Sequence, residues 1–244
     1  MSLEITECPS PNHEERRAPI DMLLLHYTGM ETGEAARERL CDASAKVSAH
    51  YLVEEDGRIL RLVPEERRAW HAGIASWRGQ SDINSCSIGI EIVNGGHDFG
   101  YPDFAAPQIA AVEALCLDIL TRHEIAPARV LGHSDVAPER KADPGEKFPW
   151  NRLAKAGIGH WVEPQEIVDG PVLQRGDRGD TVAELQFQLA DYGYGIEVLG
   201  VFDAKTEAVV RAFQRHFRQA RVDGIADVST VATLRVLRDT LAGH

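Results

Sequence analysis

Two histidines in this chain stand where apolar runs stop. His26 follows "IDMLLL" and His133 follows "ARVLG". Ligands of open α/β sheets gather outside strand ends, and a neutral imidazole is the commonest zinc ligand, with a carboxylate acceptable as a third. Asp143 lies ten residues after His133, too far for one helix face but within reach of a loop that folds back. Two histidines and an aspartate leave a fourth tetrahedral position for water, which is the catalytic type of zinc site. The chain has ten histidines, and the competing account is that these two are ordinary core or surface residues.

Glu91 stands inside the apolar run "CSIGIEIVN", where a carboxylate is costly to bury without a partner. If Ile88, Ile90 and Ile92 mark one face, Glu91 lies on the other. That face is either solvent-exposed or, because strands this apolar are usually covered on both sides, aimed at the mouth of a metal site. There it could take a proton from water. Lys141, two residues before Asp143, is either a solvated lysine or a stabiliser of a developing oxyanion. In "RAWHAG", Trp70 and His71, with Trp77 beyond, suggest a cleft wall with an aromatic surface and polar tips; a packed tryptophan pair is the alternative. No G-x-S-x-G motif or reactive-cysteine setting calls for a side-chain nucleophile.

The elements that must position these groups interleave. "IDMLLLHYTG", 86–94 and "ARVLGH" read as strands, and "EAARERLCD" and 107–123 as helices. "VSAHYLVEEDGRILRLVP" reads as a hairpin around Asp56-Gly57. The expected fold class is α/β, a mixed central β-sheet flanked by helices, followed by a small all-α three-helix domain. Residues 1–162 form the first domain, 163–171 a linker, and 172–244 the helical domain, read as an independent bundle with Asp203 and Ser229 as N-caps.

The formal net charge of −12 argues against nucleic acid as a partner, since phosphate binding needs a basic face, although a local basic patch is still open. No run approaches the length of a membrane helix. Cys8, Cys41, Cys86 and Cys116 are far apart in sequence and without C-x-x-C, so packed, reduced thiols are expected. The first residues hold no leader-like apolar stretch. As written, the chain is expected in the cytoplasm. If "MSL" is a vector-encoded start and a leader was trimmed, the place becomes the periplasm or outer membrane.

Taken together, "LLLHYTG", "VSAHYLVEEDGRILRLVPEERRAWHAG", "NSCSIGIEIVN" and "LGHSDVAPERKADPG" give residues 20–150 a resemblance to the zinc-dependent N-acetylmuramoyl-L-alanine amidases of the amidase-2, peptidoglycan-recognition-like family. The resemblance implies Zn2+ held by His26, His133 and Asp143, Glu91 as the catalytic glutamate, and Lys141 supporting the transition state. It is nearer to the bacterial recycling branch than to the phage branch, which uses a tyrosine and a cysteine ligand. His50 and His71 match recurrent positions but are not assigned to zinc; His50, Trp70, His71 and Asn94 are expected against substrate.

Residues 172–240 similarly resemble the type 1 peptidoglycan-binding domain, on "VLQRGDRGDTVAELQFQLADYGYG" and "GVFDAKTEAVVRAFQRHF". The implied reaction is hydrolysis of the amide between N-acetylmuramic, or anhydro-N-acetylmuramic, acid and L-alanine in peptidoglycan or muropeptide fragments. The alternatives are a noncatalytic peptidoglycan-recognition protein and a zinc peptidase cutting within the stem peptide. The sequence sets no oligomeric state.

Overall fold

The structure, a computed structural model, describes residues 3–242; the Met-Ser of the "MSL" reading lies outside them. Eight strands are present among the described residues: β1 (Ile5–Glu7), β2 (His13–Glu15), β3 (Met22–Tyr27), β4 (Tyr51–Val53), β5 (Ile59–Arg61), β6 (Arg67–Ala69), β7 (Ser87–Ile92) and β8 (Val130–Gly132). Six form one sheet in the order β1-β5-β4-β7-β3-β8, while β2 and β6 pair separately. The sheet is mixed. The β4–β5 hairpin is antiparallel, and the other pairings are parallel. The helices are α1 (Gly33–Cys41), α2 (Ile83–Cys86), α3 (Ala106–Arg122), α4 (His133–Val136), α5 (Trp150–Lys155), α6 (Asp180–Tyr192), α7 (Ala204–Phe217) and α8 (Val228–Ala242).

Side chains of a strand alternate between faces, and that alternation builds the site. Leu23 and Leu25 of β3 and Ile88, Ile90 and Ile92 of β7 point to one face, where they pack on Ile109, Val112, Cys116 and Ile119 of α3. The opposite face carries Met22 and Leu24, then His26; on β7 it carries Gly89, then Glu91. His26 and Glu91 are direct partners in the parallel β3–β7 register. Both therefore emerge side by side at the C-terminal ends of neighbouring central strands.

The helical part is not an independent bundle. Val182, Leu185, Leu189, Phe213 and Phe217 lie in the same apolar cluster as Met22, Leu24, Trp77 and Ile83 of the first domain. Each such side chain contributes about 1.5–3 kcal/mol by burial, so the two parts share their stability. Periodicity could show that each helix has an apolar face but not what covers it. Asp203 caps α7 as expected, accepting from the Thr206 amide. Ser229 does not cap α8. Asp227 accepts from the Thr230 amide at 2.7 Å, and the Ser229 hydroxyl donates to the Gln165 carbonyl instead. The four cysteines are free, although Cys8 and Cys41 bring their sulfurs to 3.8 Å. No described helix is long and apolar enough to cross a membrane.

Candidate metal centre

His26 is the last residue but one of β3, His133 follows β8, and Asp143 returns to them on the loop after α4. That loop is closed by the Ser134 amide, which donates to the Asp143 carbonyl at 2.9 Å. All three side chains are buried. The two Nδ1 atoms are 2.9 Å apart, and Asp143 Oδ2 lies 3.1 Å from that of His26 and 3.0 Å from that of His133. Zinc bonds of about 2.0–2.1 Å place tetrahedral ligands about 3.3 Å apart, so this triangle has the size one such ion requires.

The hydrogen bonds behind the triad decide which nitrogens carry protons. His133 Nε2 faces the Ala72 carbonyl at 2.9 Å, which only an N–H can satisfy. Its Nδ1 is then a bare lone pair. For His26 the chain is longer. The Ser87 hydroxyl donates to the Ile83 carbonyl, so its oxygen accepts from His71 Nε2 at 3.4 Å. His71 Nδ1 is then an acceptor and takes the Nε2–H of His26 at 3.0 Å. His26 Nδ1 is left bare as well. Two lone pairs and a carboxylate oxygen therefore converge with no proton between them. That arrangement is repulsive without a cation and is the donor set a divalent metal takes.

Charge agrees. Burial, with His133 adding to it, pushes His26 down to about 4, so it is neutral at pH 7. Burial alone would raise Asp143; positive charge placed at His133, and then at His26, outweighs it and holds the carboxyl far below the usual carboxylate range, the same pull that a cation between them would exert.

Glu91 reaches the same cleft. Its Oε2 is enclosed and has no hydrogen-bond partner. Burial, and then the Asp143 carboxylate, push its pKa well above the carboxylate range, while Lys141 pulls it down. Lys141 is half-buried and close enough to act on His26 too. The structure thus gathers His26, His133, Asp143, Glu91 and Lys141.

The remaining expected residues fare differently. His71 is the partner that orients His26, and Trp70 beside it is half-buried, its backbone paired with Ser48. Three others face no ligand surface. His50 is fully buried, with Nδ1 accepting from the Gly89 amide and Nε2 against the Arg67 carbonyl. Asn94 is buried and spends its amide on Gly96 and Pro102. Trp77 is neither cleft wall nor partner of Trp70; it is buried edge-on against Tyr192 and Tyr194. Polar residues at strand ends look like ligand contacts in a sequence, but turn backbone needs partners too.

Sequence reading missed Asn84 and Asp135. The Asn84 side-chain oxygen accepts from the His71 and Ala72 amides at 3.0 and 2.8 Å, fixing both supports of the triad. Asp135, fully buried two residues after His133, accepts from the Gly132 amide, from His216 Nδ1 at 2.7 Å and from the Tyr194 hydroxyl at 2.8 Å. The last two belong to the helical part. The available signal for the His71 support was Gly89, since glycine inside a strand marks a close approach. A Cβ there would lie 2.5 Å from the His71 ring.

Comparison with known proteins fits this layout. The family described as N-acetylmuramoyl-L-alanine amidase matches residues 16–146, and that described as "Putative peptidoglycan binding domain" matches residues 178–234. The N-acetylmuramoyl-L-alanine amidase AmiD of Escherichia coli is 37% identical over 230 residues, covering 89% of this chain and 82% of that protein. The solved complex of that Escherichia coli amidase with anhydro-N-acetylmuramic acid-L-Ala-D-γ-Glu-L-Lys superposes with a TM-score of 0.78 at 36% identity, covering 93% of this chain and 92% of the other. AmpDh3 from Pseudomonas aeruginosa, in complex with an anhydromuramic pentapeptide, gives 0.75 at 34% identity, covering 91% and 92%. The first family spans more than half of the described fold, including every residue of the triad, and the relatives align along nearly the whole length: this chain belongs to the N-acetylmuramoyl-L-alanine amidase family.

Proposed function

We propose that this chain hydrolyses the amide between N-acetylmuramic or anhydro-N-acetylmuramic acid and L-alanine in peptidoglycan fragments, with zinc held by His26, His133 and Asp143. The observation that carries the reading is the convergence of two bare Nδ1 lone pairs and one carboxylate beside an unpartnered Glu91 oxygen. Support for the substrate comes from the anhydromuramyl peptides bound by the two similar solved structures.

Bound there, zinc supplies Lewis acidity toward a carbonyl oxygen and a water. The chain's own residues do the rest. Glu91 accepts the proton of the attacking water at Oε2, which no other group occupies, and passes it to the departing alanine nitrogen. For this it must be ionised, and Lys141 is the group that lowers its pKa. The Lys141 ammonium also faces the oxygen on which charge develops. Asn84 and His71 contribute rigidity, since the metal ligands are held from behind by atoms that do not reorganise during the reaction.

Mass spectrometry of the products from anhydro-N-acetylmuramyl-L-Ala-D-γ-Glu-L-Lys tests the reading. A free anhydromuramic acid and a tripeptide with an L-alanine amino terminus are expected. A muramyl product that retains L-alanine would show cleavage within the stem and overturn it, as would an intact substrate.

A further inference from the structure

A cavity adjoins the loop that carries Asp143. It measures about 330 Å³ and lies where the Asp143 loop meets α7. Its walls carry Arg140 and Lys141 from the loop and Arg175, Arg211 and Arg215 from the helical part. Only Glu139 and Glu207 oppose them. In a chain of net charge −12, such a concentration of cations is a built feature, because like charges brought together oppose folding.

Not all of these cations are free. The Arg140 guanidinium donates to the Ala72 carbonyl and, with Nε at 3.2 Å, to that of Ile74. Glu207 pairs with both Arg211 at 2.9 Å and Arg175 at 3.4 Å. Lys141 and Arg215 remain under-compensated. Lys141 makes no ion pair among the described residues. Arg215 has one carboxylate, Glu146, at 3.7 Å, and its Nε is buried without a hydrogen bond. A guanidinium nitrogen left in that state is costly and is a donor awaiting an acceptor.

The cavity reaches the metal centre along the chain: Lys141 and Ala142, two of its lining residues, lead directly into Asp143. On the far side, Tyr27, which follows His26, meets His97 at 3.0 Å; His97 meets Glu146 at 3.2 Å, and Glu146 meets Arg215. The α7 backbone is fixed around Arg215 by the neighbouring His216, bound to Asp135 and stacked on Trp150 with centroids 3.8 Å apart.

We propose that Lys141, Arg211 and Arg215 form an anion subsite, built across the boundary of the two parts, that receives the free α-carboxylate of the stem peptide's γ-linked acidic residue. The inference rests on the amidase reading. In a stem of the L-Ala-D-γ-Glu type, the γ-linkage leaves that carboxylate free one residue beyond the alanine, within roughly 7 Å of chain from the scissile amide. A carboxylate can take a buried arginine nitrogen and a neighbouring cation together. The helical part is then a specificity wall of the active site as well as packing for the first domain.

The test compares two substrates on one protein sample: anhydro-N-acetylmuramyl-L-Ala-D-γ-Glu-L-Lys, and the same molecule with the glutamyl α-carboxyl amidated. The native chain should prefer the acid about tenfold in kcat/KM, the value of one charge-assisted contact. Arg215→Gln should bring the ratio near one, and Arg215→Lys should keep most of it. Because both substrates meet the same sample, a partly unfolded variant lowers both rates and leaves the ratio intact. A native ratio near one, or an unchanged ratio in Arg215→Gln, overturns the subsite while leaving the amidase reading standing. Cleavage of neither substrate by the native chain overturns both.

Discussion

In the proposed site His26 is able to take a metal because of what its other nitrogen does. The relay through His71 and Ser87 takes the Nε2 proton and leaves Nδ1 bare; His133 reaches the same state through one backbone carbonyl. The three converging residue types were legible in the sequence, since histidines at strand ends and an aspartate on the following loop are a recognisable pattern. The supports were not. Asn84 and Ala72 act through contacts with residues far along the chain, which no spacing encodes. Lys141 gives a prediction at this scale. A general base works only when ionised, so activity falls as pH drops through the pKa of Glu91. Burial and Asp143 raise that pKa and Lys141 lowers it. Lys141→Met should therefore reduce kcat by roughly 10²-fold and move the acid limb of the pH–kcat/KM profile to higher pH. A reduced rate with an unmoved limb would leave Lys141 as an oxyanion contact only.

At the scale of elements, β7 does two jobs through its period of two. Ile88, Ile90 and Ile92 seal the core against α3, while Gly89 and Glu91 serve the cleft. The alternation was readable, and so was the placement of Glu91 opposite the isoleucines. The demand on Gly89 was not, because it arises from a ring that stands over it from another segment. Gly89→Ala places a methyl group against His71 and should break its hydrogen bond to His26. Loss of such an outer partner weakens metal binding by about 10–100-fold, measurable by competition with a zinc chelator, while the far-ultraviolet spectrum stays native. Unchanged zinc affinity would remove His71 from the account. The β1 and β2 strands escaped sequence reading because they are short and hold no fully buried residue, so neither carries a clear apolar period.

For the whole molecule, the surprise is the shared core. Helix periods predicted three amphipathic helices, and three are present. Their partner was illegible because amphipathicity names a face and not its occupant. Trp77, Tyr192 and Tyr194 now read as one buried seam, and Asp135 ties the metal loop to α7. His216→Ala removes one partner of a fully buried carboxylate and should cost about 3 kcal/mol, lowering the Tm by roughly 10 °C. Zinc affinity should fall with it, since the loop carrying His133 loses its brace. A Tm within 2 °C of native, checked by calorimetry on metal-loaded samples (a shift of about 1 kcal/mol or less), would show that the two parts are joined without being coupled.

The proposed chemistry divides the labour at the cleft: three residues to hold the metal, and a fourth to move the proton. The most direct measurement is zinc content and turnover of Glu91→Ala in the same sample. Zinc should remain at one ion per chain, because Glu91 is not among the converging ligand atoms. Turnover should fall by about 10²–10⁴-fold, the usual contribution of a general base. Turnover near the native rate, or loss of zinc together with activity, would contradict it.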